Sequence, residues 1–383
     1  MRDVYIIGAG MTQFGKHLER SLRDLGREAC LEAIKDAGIE PEQIQAGYCG
    51  NALAPAIQGE TGVGQNVFWE VGIKGIPIVN MENACASGST ALREGWMAVA
   101  GGFYDMAIVA GVEKSVMPKG KMLDVGAGEL DTKLGDVFPG YFATIAQKHM
   151  ERYGTTREQM AQVSVKNHFN GTLNPYAQFQ KTFTLEEVLN SPMIADPLTL
   201  YSCCPNSDGA AAVVLCSEEK AKKLNGRRIK VAASVLTTGT YENQRDITKW
   251  DVEIRAAEEA YGMASLGPED LDVVEVHDAF TICEIIHYEG LGLCPLGEGG
   301  RLMEEGATEL SGRIPVNPSG GLLSKGHPVG ASGVGQVVEI VWQLRGDAGK
   351  RQVKNARVGM AGIMGGNKEG DTRACTVHIL IKE

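Results

Sequence analysis

Asn83-Ala84-Cys85-Ala86-Ser87-Gly88-Ser89-Thr90-Ala91 places a cysteine between an apolar run and a stretch of helical spacing. Upstream, Gly75-Ile76-Pro77-Ile78-Val79-Asn80-Met81 predicts a buried strand, and downstream, Ser87 to Gly101 predicts a packed helix of small and apolar residues. Cys85 then falls at a helix N-terminus, where free backbone N–H groups and the positive end of the helix dipole favour thiolate over thiol. A small cysteine standing alone is more often an inert core residue. The rest of the chain decides between the two.

The chain has 383 residues, 43% hydrophobic and 22% charged, with a net charge of -11. That length exceeds one ordinary core and implies two domains or one duplicated fold. The acidic balance argues against a nucleic-acid surface but leaves room for a local basic patch facing a phosphate-bearing ligand. No apolar run approaches the roughly 18 to 20 residues of a membrane span. The N-terminus enters Val4-Tyr5-Ile6-Ile7 without a signal peptide, so a cytoplasmic protein is expected. Nine cysteines are scattered without a Cys-x-x-Cys pair, which indicates neither a disulfide framework nor a zinc ribbon.

In chain order, Val4 to Gly10 predicts a strand ending in Gly8-Ala9-Gly10. This invites a dinucleotide reading, but the spacing of the fingerprint is missing and the next helix starts only near Ser21. Ser21 to Ala37 predicts an amphipathic helix stopped by Gly38, Tyr48 to Asn51 a strand, Thr61 to Val71 a helix and Met106 to Gly111 a strand. From about 114 to 200 the alternation breaks. Gly120 to Gly128 reads as a loop, Tyr141 to Tyr153 and Arg157 to Asn170 as helices, and the whole as an excursion serving as lid or contact surface. Asp208 before Gly209 reads as a turn former, and Ala210 to Leu215 as a strand closing the first half.

The second half predicts a strand from Ile229, an excursion over Thr237 to Asp251, a helix (Val252 to Tyr261), a strand (Asp272 to Val276) and a helix (Phe280 to Leu291). It also echoes the first half. Ala86-Ser87-Gly88 reappears as Ala331-Ser332-Gly333 before a helix running through Val341, and Ile108 to Gly111 has a counterpart in Val358 to Gly362. Two related helix N-termini could then face one site. Two further constellations carry chemistry: Glu275-Val276-His277-Asp278-Ala279-Phe280 at a strand end, and the glycine-rich Asn317 to Gly330 around Lys325-Gly326-His327-Pro328. A neutral imidazole at His327 could take the Cys85 proton, and His277 could offer an N–H to a substrate oxygen.

Taken together, Asn83 to Gly88, His277 to Phe280, Asn317 to Gly321 with Gly326-His327-Pro328, and Gly359 to Gly366 resemble the thiolase superfamily. They are most similar to its archaeal-type and sterol-carrier-protein-associated branch. The resemblance spans essentially the whole chain. It implies an α/β thiolase fold, five-layered αβαβα, with an N-terminal half at 1–225, an inserted loop domain at about 114–200 and a C-terminal half at 226–383. It further implies Cys85 as acyl acceptor, His327 as its activator, and His277 with His327 as one oxyanion hole. The backbone N–H groups of Cys85 and Gly365 would form the other. Coenzyme A would enter as substrate, with no permanently bound cofactor and no metal. The expected partners are further copies in a dimer or tetramer and a small zinc-ribbon/OB-fold subunit, with the apolar Lys114 to Met122 stretch a candidate contact; no nucleic acid or membrane is expected.

The chain departs from the family in one respect. A second cysteine expected near the last glycine-rich loop or third in the His-Asp element is replaced by Ile363 and Ala279. Cys283, one turn beyond Ala279, is a candidate acid/base, and Cys203 and Cys204 are others. Three readings follow: a thiolase acting on a 3-oxoacyl-CoA, either acetoacetyl-CoA or a bulkier branched or aromatic one; a decarboxylating, ketosynthase-like condensing enzyme; and a non-catalytic scaffolding subunit.

Overall fold

The computed structural model describes residues 1–116, 130–135, 137–224, 227–241, 246–368 and 371–383. The Gly120–Gly128 reading, and most of the Lys114–Met122 stretch, lie outside them. In chain order the frame is β1 (Val4–Met11), α1 (Leu22–Ala37), β2 (Ala46–Gly50), α2 (Val63–Glu70), β3 (Ile78–Met81), α3 (Ser87–Ala100) and β4 (Met106–Lys114). After α4 (Phe138–Tyr153) and α5 (Arg157–Thr172) come β5 (Asp208–Ser217), β6 (Ile229–Thr237), α6 (Asp251–Ala264), β7 (Val273–Glu275) and α7 (Thr281–Gly290). The frame ends with α8 (Ser332–Arg345), β8 (Val358–Lys368) and β9 (Asp371–Ile381).

The strands form one sheet in the order β3-β2-β4-β5-β1-β6-β9-β8-β7. Its two ends repeat one pattern. In the first, β2 runs parallel to β4, which pairs antiparallel with β5, and β5 with β1. In the second, β7 runs parallel to β8, which pairs antiparallel with β9, and β9 with β6. The halves meet at β1 and β6 through Tyr5↔Lys230 and Ile6↔Ile229. The echo seen in the sequence is therefore a repeated topology.

Side-chain alternation builds the layers. On β1, Tyr5 and Ile7 face α1 while Val4 and Ile6 face α3 and α8. On β5, Ala212 and Val214 face outward and Ala211 and Val213 inward. Strands buried on both faces read as unbroken apolar runs. In the second half, Ala233 and Val235 of β6 pack with Ala256, Ala257 and Ala260 of α6 and Ile282, Ile285 and Ile286 of α7. The order is thus α1/α2, first half-sheet, α3/α8, second half-sheet, α6/α7. This is the expected five-layered α/β architecture.

Glycine explains two features of the sequence. A Cβ on Gly8 would lie 2.1 Å from the Ala33 carbonyl oxygen, and one on Gly10 2.5 Å from that of Ala29, so Gly8-Ala9-Gly10 lets α1 lie against β1. In the middle layer, a Cβ on Gly88 would stand 2.4 Å from the Gly330 carbonyl oxygen and one on Gly333 2.7 Å from the Ser89 Cβ. The repeated Ala-Ser-Gly is the point at which α3 and α8 touch.

Two expectations change. Ile78–Met81 is the edge strand of the sheet, and Val79 is 42% exposed, so the run is not buried as read. Asp208 starts β5, and its buried carboxylate accepts from the Val116 amide at 3.0 Å, the His17 amide at 3.1 Å and Lys114 Nζ at 3.2 Å. It ties loops together instead of forming a turn.

Gly88→Ala forces a backbone carbonyl to shift, and overpacking of this kind costs about 1–3 kcal/mol or more. A lower urea midpoint is expected. Gly262→Ala, at an exposed helical position with no atom of the described residues within 4 Å of the added Cβ, should leave the midpoint unchanged or raised. Equal midpoints for the two variants would contradict the close-approach account.

Candidate active site

β3 leads into α3 through a tight turn. Ala84 has φ of 48°, a left-handed conformation costly for a residue with a Cβ. Ser87 Oγ donates to the Ala84 carbonyl at 2.6 Å and accepts from the Asn83 amide at 2.9 Å, and Glu82 accepts from the Ala84 amide at 2.7 Å. Gly365 closes over the turn: a Cβ there would lie 2.0 Å from the Asn83 carbonyl oxygen and 2.7 Å from the Ala86 nitrogen. Gly366, at φ of 68°, directs its amide to the Cys85 sulfur.

His327 comes from the second half. Its Nε2 lies 3.3 Å from Cys85 Sγ, and its Nδ1 lies 2.8 Å from Ser332 Oγ, at the first residue of α8. That hydroxyl donates to the Pro328 carbonyl at 3.0 Å, so toward the imidazole it accepts. Nδ1 therefore carries the proton, and Nε2 presents a lone pair to the thiol. The His327 amide donates to Ser207 Oγ at 2.9 Å, which fixes the loop from the other side.

Burial pushes the Cys85 thiol up to about 12, against the lowering effect of the Gly366 amide and with Glu113 adding to the rise. Burial also takes His327 down to about 4. The resting pair is a neutral thiol and a neutral imidazole, not the thiolate that a helix N-terminus suggests. The first amides of the helix are engaged elsewhere: the Ala86 amide bonds the Asn83 carbonyl at 3.0 Å and the Ser87 amide that of Ala84 at 3.1 Å. Burial outweighs what remains of the dipole.

His277 follows β7. Its ring lies 5.3 Å from that of His327, centroid to centroid, and its buried Nε2 has no hydrogen-bond partner among the described residues. Burial, then His327 and His287, hold it well below the usual histidine range, so it is neutral. Cys85, His277 and His327 bring one donor atom each within 4.8 Å of one another. Such a Cys-His-His set can also hold a soft divalent cation.

A buried polar frame fixes these loops, and sequence reasoning missed most of it. Asp278 accepts from the Leu322 amide at 2.6 Å, the Leu323 amide at 3.2 Å and Asn167 Nδ2 at 2.8 Å. Asn167 also donates to Glu284 at 2.7 Å, as does Asn317 Nδ2 at 2.6 Å, while Asn317 Oδ1 accepts from the Val276 amide at 2.9 Å. Lys166 pairs with Glu284 at 2.7 Å, and Lys325 with Glu275 at 3.3 Å. Helix α5, read as part of a lid or contact surface, is thus a polar clamp beneath both histidine loops. Across the halves, Glu113 accepts from Ala52, Leu53 and Gly330 amides and from Asn51 Nδ2. His287 Nε2 donates to the His277 carbonyl at 3.1 Å, and Glu253 bonds its other nitrogen.

The remaining candidates fall outside the trio. Ile363 is buried in β8 and Ala279 carries no titratable group. Cys283, on α7, is 1% exposed within the apolar core, where burial drives its thiol well above the usual range; the structure does not bring it to the other three. Cys203 Sγ donates to the Thr199 carbonyl at 3.4 Å. A cavity of about 870 Å³ beside α1 and α8, lined in part by Glu32, Tyr176, Trp342 and Arg351, shares none of these residues.

Comparison with known proteins matches residues 4–219 to the model of the thiolase N-terminal domain and residues 233–378 to that of the thiolase C-terminal domain. An acetyl-CoA acetyltransferase of Methanothermobacter thermautotrophicus is 47% identical over 99% of both chains. The benzoylsuccinyl-CoA thiolase subunit BbsB of Thauera aromatica is 42% identical over 95% of both. Among solved structures, the Ltp2-ChsH2(DUF35) aldolase superposes with a TM-score of 0.85 at 26% identity, covering 99% of this chain and 98% of that one.

With His327 titrating near 4 and Cys85 near 12, the rate of Cys85 acylation should be flat between about pH 5 and pH 9. It should fall below that range as His327 gains a proton and ceases to accept one. An inflection between about pH 6 and pH 7, the range of an unperturbed histidine, would contradict the neutral pair.

Proposed function

As a member of the thiolase family this chain is an acyl-CoA C-acyltransferase, and from that premise we propose that Cys85 carries the acyl group, His327 moves its proton and His277 binds the developing oxyanion. The observation that carries the assignment is the 3.3 Å contact between Cys85 Sγ and His327 Nε2, with the proton of His327 held on Nδ1. As Sγ attacks the C3 carbonyl of a 3-oxoacyl-CoA, Nε2 takes the thiol proton. The ion pair forms with the substrate in place, so the cost of burying a thiolate falls within the reaction and not on the resting protein.

Negative charge then develops on two oxygens. For the thioester oxygen of the departing enolate, the donors are the N–H groups of His277 and of protonated His327. The partnerless, buried Nε2 of His277 supports this: such an atom costs about 1–3 kcal/mol unless a ligand meets it. For the carbonyl oxygen at C3, the donors are the amides of Cys85 and Gly365, the latter pressed onto the Cys85 turn. Coenzyme A serves as substrate, and no permanent cofactor is invoked. A decarboxylating condensing enzyme is the second reading, favoured by a Cys-His-His trio whose positions 279 and 363 lack a thiol.

The substrate is a 3-oxoacyl-CoA: acetoacetyl-CoA in keeping with the archaeal relative, or a bulkier aromatic one in keeping with the Thauera relative. Self-association is supported by β3, whose outer backbone edge has no strand beside it among the described residues. A small zinc-ribbon/OB-fold partner is supported by the likeness to the Ltp2-ChsH2(DUF35) aldolase and to the benzoylsuccinyl-CoA thiolase subunit BbsB. A cytoplasmic location fits a chain in which no described helix is long and apolar enough to cross a membrane.

Thiolysis of acetoacetyl-CoA and of an aromatic 3-oxoacyl-CoA by free CoA, run beside decarboxylation of malonyl-CoA, tests the reading. The wild-type protein should cleave at least one 3-oxoacyl-CoA into two acyl-CoA products. Cys85→Ala should reduce kcat by about 10⁴-fold or more, and His327→Ala by about 10²-fold or more. Carbon dioxide release from malonyl-CoA without thiolysis would establish the second reading instead.

A further inference from the structure

Cleavage between C2 and C3 leaves an electron pair on C2, and that carbon must receive a proton. In the reading above, on which this inference rests, both imidazole N–H groups are spent on the enolate oxygen. The carbon therefore needs a donor from another side of the site. Ile363 and Ala279 have no transferable proton, and Cys283 is sealed in the core.

The segment Cys203–Asn206 runs between the two histidine loops. Cys203 bridges Phe280 in antiparallel fashion, the Cys204 amide donates to the Ala279 carbonyl at 2.9 Å, and Asn206 bridges His327. Cys204 thus stands directly opposite Ala279, and residues opposed in this way share a face with Cβ atoms about 4.5–5.5 Å apart. The methyl group of Ala279 leaves that face open. The two neighbouring thiols differ in engagement: Cys203 Sγ is bound to the Thr199 carbonyl, whereas no hydrogen bond among the described residues engages Cys204 Sγ. Cys204 is half-buried, unlike Cys283. Burial, then the neighbouring Cys203, Asp278 and Cys85, hold its thiol well above the usual range, so it keeps a proton to give. The unpartnered Nε2 of His277, on a residue 7% exposed, marks the same site as built for a ligand.

We propose that Cys204 is the acid and base at the α carbon, in place of the cysteine absent from positions 279 and 363. In thiolysis, Cys85 Sγ bonds to C3 and the C2–C3 bond breaks. The electron pair stays on C2 and takes the Cys204 proton, giving the shortened acyl-CoA and a Cys204 thiolate. His327 passes the proton it took from Cys85 on to that thiolate and, neutral again, removes the proton of the incoming CoA thiol, whose sulfur attacks the acyl carbon. The Cys85–acyl bond breaks, and the Cys85 thiolate recovers its proton from His327. No proton or electron is left over.

The test separates acyl transfer from carbon–carbon chemistry in the full-length protein. Exchange of labelled CoA into acetyl-CoA needs only Cys85 and His327. Thiolysis of acetoacetyl-CoA, and uptake of deuterium at C2 of acetyl-CoA in heavy water, need the α-carbon acid/base as well. Cys204→Ala and Cys204→Ser should keep CoA exchange within about threefold of wild type and lose thiolysis and deuterium uptake by about 10²-fold or more. Cys203→Ala should retain all three. If Cys204→Ser retains thiolysis within about threefold, or loses exchange and thiolysis together, the proposal is overturned. Absence of exchange in the wild type would overturn the acyl-Cys85 reading itself, a different failure.

Discussion

The contact between Cys85 and His327 joins residues 242 positions apart, one from each half of a repeated fold. Neither half contains the site. It exists because α3 and α8 meet end to end in the middle layer, and they meet because Gly88 and Gly333 lack the Cβ atoms that would hold them apart. Every other feature of the site is arranged around that approach. Glu113 bonds amides on both sides of it, and Gly365 closes over the Cys85 turn from β8.

The site combines an electrostatically quiet centre with a highly polar foundation. At the centre, burial keeps thiol and imidazoles uncharged, so nothing has to be discharged before an acyl-CoA binds. Beneath it, Lys166, Asn167, Glu284, Asn317 and Asp278 form one buried network, and Glu275 with Lys325 and Ser319 forms a second buried group. A network of this kind confers little net stability, but breaking one member strands the others. It fixes loop geometry, and loop geometry is what places two imidazoles within reach of one sulfur.

Much of this was legible in the sequence, for identifiable reasons. Strands buried on both faces appear as apolar runs, Ser21 and Gly38 mark the ends of α1, and the Ala-Ser-Gly echo marks the contact of the middle helices. The three site residues stood out because Cys85, His277 and His327 sit at element ends amid glycine and proline. What stayed hidden depends on long-range burial. Arg157 to Asn170 reads as a helix of an excursion serving as lid or contact surface, yet Lys166, Asn167 and Asn170 on it are buried against the second half. Val79 reads as buried, yet β3 is an edge. Helix-end position says thiolate at Cys85, but it takes the capping turn and the surrounding burial to see why the thiol is retained.

The central claim is that one sulfur, held by one imidazole across the two halves, carries the acyl group. Intact-mass and peptide-level mass spectrometry after brief exposure to acetyl-CoA at neutral pH tests it most directly. The account predicts a single acetyl adduct on the peptide containing Cys85, slowed in His327→Ala and absent in Cys85→Ala. An adduct of equal yield in Cys85→Ala, or none in the wild-type protein, would contradict it.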